Sequence, residues 1–197
     1  MSSLLEKNFD FWYGGAVNRK TAPVRLLIVI GILFFFKSYI LDIRRISGYS
    51  MEPALSNGQL VVIWKLAYGI PSPWANRYLY RWRMPQKGDI VLYAIDGRYV
   101  IKRCVGTEGA DLNFILNPRG IFDEGLSEDY AVLQLDEKTV PLNRVQLKNL
   151  GGFLPQPDRK IPPGFILALG DNAAQSRDSR DYGFVAADSI CGALLWN

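Results

Sequence analysis

The chain has 197 residues, 49% of them hydrophobic and 21% charged, with a formal net charge of +4. That length suits one ordinary domain, and that composition excludes a disordered chain. It contains no histidine and two cysteines, Cys104 and Cys191, which excludes a Ser-His-Asp triad, a Cys-His protease and a zinc site. Both thiols read as small buried hydrophobes, with a disulfide between them left open.

Residues 1–23 read as a mixed polar tail with an aromatic trio, Phe11-Trp12-Tyr13. Leu26 to Phe36 is an apolar run. Eleven helical residues reach only about 16 Å against a hydrocarbon core of roughly 30 Å. Extended to Val24–Ile43, the segment spans a bilayer if Arg25 and Lys37 snorkel, so a transmembrane anchor is predicted over 24–43. No small-x-small cleavage pattern follows it, which argues against a removed signal sequence. Arg19, Lys20 and Arg25 on one side and Arg44 and Arg45 on the other do not choose an orientation.

Immediately beyond lies Gly48-Tyr49-Ser50-Met51-Glu52-Pro53. A serine nucleophile in a chain without histidine needs another base, and lysine is the natural substitute because burial readily shifts its pKa. Gln59–Trp64, Gly88–Tyr93, Tyr99–Val105, Phe165–Leu169 and Ile190–Trp196 read as strands. The stretch with Gly69, Pro71 and Pro73 reads as a loop. Residues 107–160 read as an excursion of short strand-like pieces and turns with no long helical period. The fold expected for 44–197 is therefore mainly β, of packed antiparallel sheets. Tyr78-Leu79-Tyr80-Arg81-Trp82-Arg83 interleaves rings and cations but is too short to suggest a nucleic-acid platform, and no nucleic-acid partner is expected.

Two further stretches could serve Ser50. In the strand around Lys102, side chains alternate, so Lys102 shares a face with Val100 and Cys104 and should be desolvated, which lowers its pKa. A lysine at a strand edge more often snorkels, so the position carries weight only beside a nucleophile. Gly170-Asp171-Asn172-Ala173-Ala174-Gln175-Ser176-Arg177-Asp178-Ser179-Arg180 is polar enough to be an ordinary turn, and it also offers hydroxyls and Asp/Arg pairs to brace a site.

Together these residues resemble the type I signal peptidases, membrane-anchored Ser-Lys peptidases. Ser50-Met51-Glu52-Pro53 is similar to the family's S-M-x-P segment, Gly88-Asp89-Ile90-Val91 to its G-D-I-V strand and Lys102-Arg103 to its K-R segment. Gly170-Asp171-Asn172 with Ser176, Asp178, Ser179 and Arg180 is similar to its G-D-N…S-x-D-S-R segment. The resemblance extends over roughly 45–105 and 160–197 and fades over 110–155. It implies Ser50 as nucleophile, Lys102 as general base, and Gly48, Met51 and Pro53 about the oxyanion and substrate floor. Ser176 would hold the lysine amine, while Asp171 with Arg103 and Asp178 with Arg180 would brace the site. It also implies packed antiparallel sheets with an apolar surface on the bilayer, no metal or cofactor, and signal peptides of preproteins as substrates, cut after small residues at the outer face of the bacterial cytoplasmic membrane.

Two departures stand out. Gly48 occupies a position where many relatives carry a hydroxyl for the oxyanion, and Ala173-Ala174 replaces a more polar pair. If 47–50 is extended, Ser47 points away from Ser50, leaving the Ser50 N–H as a main oxyanion donor. The alternatives are a pilin or transfer-protein maturation peptidase of the same family and, from another class, an inactive β-domain that binds signal peptides. Self-cleaving repressors, which also use a Ser-Lys pair, fit poorly with the apolar segment and the missing DNA-binding domain.

Overall fold

The computed structural model describes residues 22–72, 74–75, 77–116, 131–135, 138–151 and 159–196. The chain divides into two units, Met1–Ser38 and Tyr39–Asn197. The described part of the first is helix α1 (Ala22–Phe35), which continues as a π-helical turn over Phe36–Ile40. Pro23 suits the first turn, where its missing N–H has no intrahelical partner to lose. Among the described residues one helical span, Pro23–Ile40, is long and apolar enough to cross a membrane. At 1.5 Å per residue it is about 27 Å long. The helix stops short of the expected Ile43, because Leu41, Asp42 and Ile43 are strand residues paired with Trp64, Ile63 and Val62.

The second unit is a set of antiparallel sheets. Its strands are β1 (Leu41–Arg45), β2 (Leu60–Trp64), β3 (Gly69–Pro71), β4 (Tyr78–Arg81), β5 (Ile90–Ile95), β6 (Arg98–Thr107) and β7 (Asn113–Leu116). Next come β8 (Ala131–Leu135), β9 (Lys138–Leu142), β10 (Phe165–Leu169), β11 (Val185–Ala186) and β12 (Ile190–Trp196). Helix α2 (Arg144–Asn149) follows β9, and the one-turn helix α3 (Ser179–Tyr182) follows β10. Seven strands form the main sheet in the order β1-β2-β12-β5-β6-β10-β11, with β3-β4 and β7-β8-β9 as separate small sheets.

The register that matters most is set by a turn. Asp96 and Gly97 both have positive φ, 49° and 71°, as the tight two-residue hairpin requires, and Asp-Gly is a favoured pair for it. This turn joins β5 to β6 and opposes Val91 to Lys102 and Ile90 to Arg103. A slip of one residue would turn Lys102 to the other face.

Apolar alternation builds the core. Val61 and Ile63 are buried while Leu60 and Trp64 on either side of them are exposed, and both buried residues pack with Met51, Leu55 and Leu92. Strand β10 is buried on both faces, Ile166 and Ala168 packing with Tyr93 and Cys104, Leu167 and Leu169 with the side chains of β7–β9.

The presumed loop at Gly69 and Pro71 is strand β3, paired with β4; it is too short for alternation to show, and Pro73 lies outside the described residues. The excursion contains a helix, α2, begun by a capping box in which Asn143 and Gln146 each accept from the other's backbone N–H. Six residues are too few to establish a helical period.

Candidate active site

Three segments of the second unit converge. The first is the loop after β1, closed at its base by hydrogen bonds from the Ile46 N–H to the Gln59 carbonyl (2.8 Å) and from the Gly58 N–H to the Ile46 carbonyl (2.9 Å). Within it Gly48 has φ +92°, a conformation L side chains rarely adopt, and its N–H donates to Asn57 Oδ1 at 3.0 Å. Ser50 begins a turn stitched by the Leu55 N–H to the Met51 carbonyl at 2.9 Å, with a cis Glu52–Pro53 peptide inside it. Met51 and Leu55 are buried, so the turn is anchored in the core immediately after the serine.

The second segment is β6. Lys102 is only 4% exposed, and its Nζ donates to Ser50 Oγ at 2.6 Å. Burial pushes the lysine pKa below its ordinary value; Asp178 and Asp171 pull it upward, and Arg180 adds to the lowering. Desolvation prevails because taking an ammonium out of water outweighs partly compensated neighbouring charges.

The third segment runs from the end of β10 into α3. The Asn172 N–H donates to the Ser50 carbonyl at 3.0 Å, tying the two turns together. Gly170 has to lack a side chain, since a Cβ there would collide with the Ser176 hydroxyl and the Ser50 carbonyl. The Asp178 carboxylate is fully buried. It accepts from the Gly170 N–H (2.9 Å), the Ser176 hydroxyl (2.6 Å), and the Arg180 guanidinium at Oδ1 (2.9 Å) and Oδ2 (3.0 Å). Arg180 also donates to the Ala173 carbonyl at 2.9 Å. A second pair is forked: Arg103 donates to Asp171 Oδ1 at 2.8 Å and Oδ2 at 2.7 Å, and to the Gly88 carbonyl at 3.1 Å.

A hydroxyl within hydrogen-bond reach of a desolvated amine is the arrangement that activates a nucleophile without histidine. The sequence of this chain matches the family model for signal peptidase, peptidase S26, over residues 19–196. The chain belongs to the signal peptidase family. It is similar to signal peptidase I of Bacillus caldolyticus, 32% identical over 166 residues that cover 82% of this chain and 79% of that one. Similarity to signal peptidase IB of Staphylococcus aureus (strain Mu50 / ATCC 700699) is 27% over 174 residues, 87% of this chain and 84% of the relative. The match to signal peptidase I of Pseudomonas fluorescens is 27% identical over 77% of this chain, which spans only 59% of that relative's length. A solved signal peptidase I from Enterococcus faecalis V583 matches at 23% identity and a TM-score of 0.33, covering 57% of this chain and 97% of that one.

Within this signal peptidase family member the expected site residues fall out as follows. Ser50 and Lys102 meet, and Arg103–Asp171 and Arg180–Asp178 are ion pairs. The Ser176 hydroxyl donates to Asp178, where the amine of Lys102 had been the expected partner. Met51 does not offer its side chain as a floor: it packs in the core with Ile46, Leu55 and Leu92. Pro53 is exposed and lines a neighbouring cleft. Gly48 sits in a bend, so the extended geometry that turned Ser47 away from Ser50 does not hold.

Sequence reasoning gave no role to Asp89, whose carboxylate accepts from the Tyr68 hydroxyl (2.7 Å) and the Gln86 N–H (3.0 Å) and so holds the turn before β5. It also passed over the paired hydroxyls of Tyr93 and Tyr182, which link β5 to α3. A side chain that bonds across the fold leaves no local pattern to find. Both cysteines are free; burial pushes their pKa values up to about 12 for Cys104 and about 11 for Cys191, so neither is a ready thiolate. Among the described residues no group of side chains could hold a metal ion.

Proposed function

We propose that this chain is a membrane-anchored serine endopeptidase that removes signal peptides from preproteins after small residues, with Ser50 as nucleophile and Lys102 as general base. The observation that carries the reading is the 2.6 Å hydrogen bond between Lys102 Nζ and Ser50 Oγ, made by a buried lysine whose pKa is lowered. Neutral Lys102 takes the Ser50 proton as Oγ bonds to the scissile carbonyl carbon. In this reading the Ser50 N–H is a donor to the developing oxyanion. The ammonium then gives its proton to the leaving nitrogen as the C–N bond breaks, leaving an ester on Ser50. A water gives its proton to Lys102 while attacking the ester, and that proton returns to Oγ as the acyl half departs.

Asp178 and Arg180 hold the turn that touches Ser50, and Asp171 ties the same turn to the lysine's strand through Arg103. The apolar span Pro23–Ile40 is the anchor in this reading, with the peptidase unit on the outer face of the bacterial cytoplasmic membrane. Incubating the detergent-solubilised protein with a preprotein and sequencing the new N-terminus tests the proposal. A cut after a small residue at the end of the signal peptide is expected; an intact preprotein beside a folded enzyme contradicts it.

A further inference from the structure

Ser50 and Lys102 supply the nucleophile and the base, and the reaction makes one further demand. When Oγ bonds to the scissile carbon, the carbonyl oxygen takes up negative charge and needs hydrogen-bond donors. The Ser50 N–H is open for this, since among the described residues it donates to no protein acceptor. A second donor has to lie close to it, and Gly48 has no side chain to give.

Asn57 meets that description. It sits in a turn locked by the Ser56 N–H on Gln59 Oε1 (2.8 Å) and the Gln59 N–H on the Ser56 carbonyl (3.2 Å), and the neighbouring Gly58 is bonded to Ile46. Its side chain reaches back to the serine loop, where the Gly48 N–H donates to Oδ1 at 3.0 Å. A backbone N–H only donates, so the atom it meets is the amide oxygen, and the orientation of the amide follows. Nδ2 is thereby held beside Gly48, and among the described residues it has no protein acceptor. The Gly48 N–H, occupied by Oδ1, is not itself open to a substrate.

We infer that Asn57 Nδ2 is the second donor to the oxyanion, acting together with the Ser50 N–H. The inference rests on the reading of the chain as a Ser-Lys endopeptidase. Two chain steps separate the Gly48 and Ser50 nitrogens, at most about 7 Å when extended, and the chain bends there. One oxygen accepting from two groups at about 2.7–3.1 Å each bridges donors up to about 6 Å apart. Two other polar groups of the serine are already engaged, its hydroxyl by Lys102 Nζ and its carbonyl by the Asn172 N–H. Its N–H lies toward Gly48, where an added Cβ would meet no atom within 4 Å, so a substrate carbonyl has room. Asn57 is exposed. Solvent satisfies its amide in the free enzyme, and a substrate that excludes water makes the same amide a strong donor.

Asn57→Asp tests this in the full chain in detergent, because it keeps an oxygen for the Gly48 N–H and removes the NH2. Measured on the high-pH plateau, where a change in the titration of Lys102 does not enter, kcat should fall about a hundred- to a thousandfold. KM should stay within about threefold, since the bond forms only as charge develops. Asn57→Ala, which brings no charge, should show a similar loss of kcat together with a lower melting temperature. A substrate-like peptide aldehyde supplies a second readout: Oγ adds to its carbonyl carbon, the Oγ proton passes to Lys102, and the carbonyl oxygen becomes an oxyanion. Its affinity, titrated on the folded fraction, should fall by the same factor as kcat in both variants, whatever their stability. A kcat near the wild-type value in either variant, a loss carried by KM, or an unchanged affinity for the aldehyde overturns the assignment and leaves Asn57 as a cap of the loop, with the peptidase reading intact. Absence of cleavage by the folded wild type overturns the peptidase reading and the role of Asn57 with it.

Discussion

Two arginine–aspartate pairs flank the site with nearly the same bond lengths and very different surroundings. Arg103–Asp171 joins β6 to the turn after β10, and its side chains are 30% and 19% exposed. Arg180–Asp178 lies inside that turn, at 6% and 0%. Water competes for the first pair and screens it; it cannot reach the second, whose carboxylate also holds the Gly170 N–H and the Ser176 hydroxyl. Similar geometry therefore carries different weight. The buried pair is a structural keystone of the turn that touches Ser50, and the half-exposed pair trims its position.

The comparison is sharpened first by separating chemistry from support. Ser50→Ala and Lys102→Ala should each lose activity by a factor on the order of a millionfold with no loss of fold, and the double variant should be no worse, since nucleophile and base act as a unit. Preprotein cleavage alongside thermal melts checks this; additive losses would mean that the two groups do not share a step.

The second test addresses the two pairs directly. Asp178→Ala strands the Arg180 charge in the interior and should destabilise the fold by about 3–5 kcal/mol. Asp171→Ala should cost no more than about 1 kcal/mol, as expected where solvent reaches both partners. Denaturant unfolding of the two variants compares them, and equal losses would break the contrast.

The smallest effects belong to the serine loop. At Gly48 a Cβ would meet no atom within 4 Å, yet φ is +92°, so Gly48→Ala is strained by its backbone and not by crowding, at about 1–2 kcal/mol. Gly48→Ser carries the same backbone strain. Ser47→Ala should change stability by less than about 0.5 kcal/mol. A pair of melts distinguishes them, and a larger loss at Ser47 would show that its hydroxyl supports the loop.

The long strands were legible because alternation and β-branched content mark them: Phe165–Leu169 and Ile190–Trp196 were read with their actual bounds, and the others to within a few residues. Asp96-Gly97 was a readable turn signal that went unused, although it fixes the face of Lys102. The three-residue β3 and six-residue α2 are shorter than the periods that would reveal them. The end of the apolar helix was misplaced because Leu41 and Ile43 are as apolar as the residues before them, while their hydrogen bonds go to β2.

In the site, the nearness of Ser50 and Lys102 was argued from the missing histidine, strand alternation and family resemblance. What stayed hidden was long-range or conformational. The Asn172 N–H on the Ser50 carbonyl, the Ser176 hydroxyl on Asp178 and the left-handed Gly48 all depend on how turns meet, and spacing along the chain does not encode that.

The central claim is that burial makes Lys102 a base, and the pH dependence of kcat/KM tests it most directly because it reports the free enzyme. With the folded pKa depressed, the neutral, proton-accepting form dominates above that lowered value. Activity should therefore rise with pH through a limb well below the free-lysine value of about 10.4 and level off above it. A limb at the free-lysine value, with the enzyme still folded, would mean that Lys102 is solvated in the working enzyme and contradict the account.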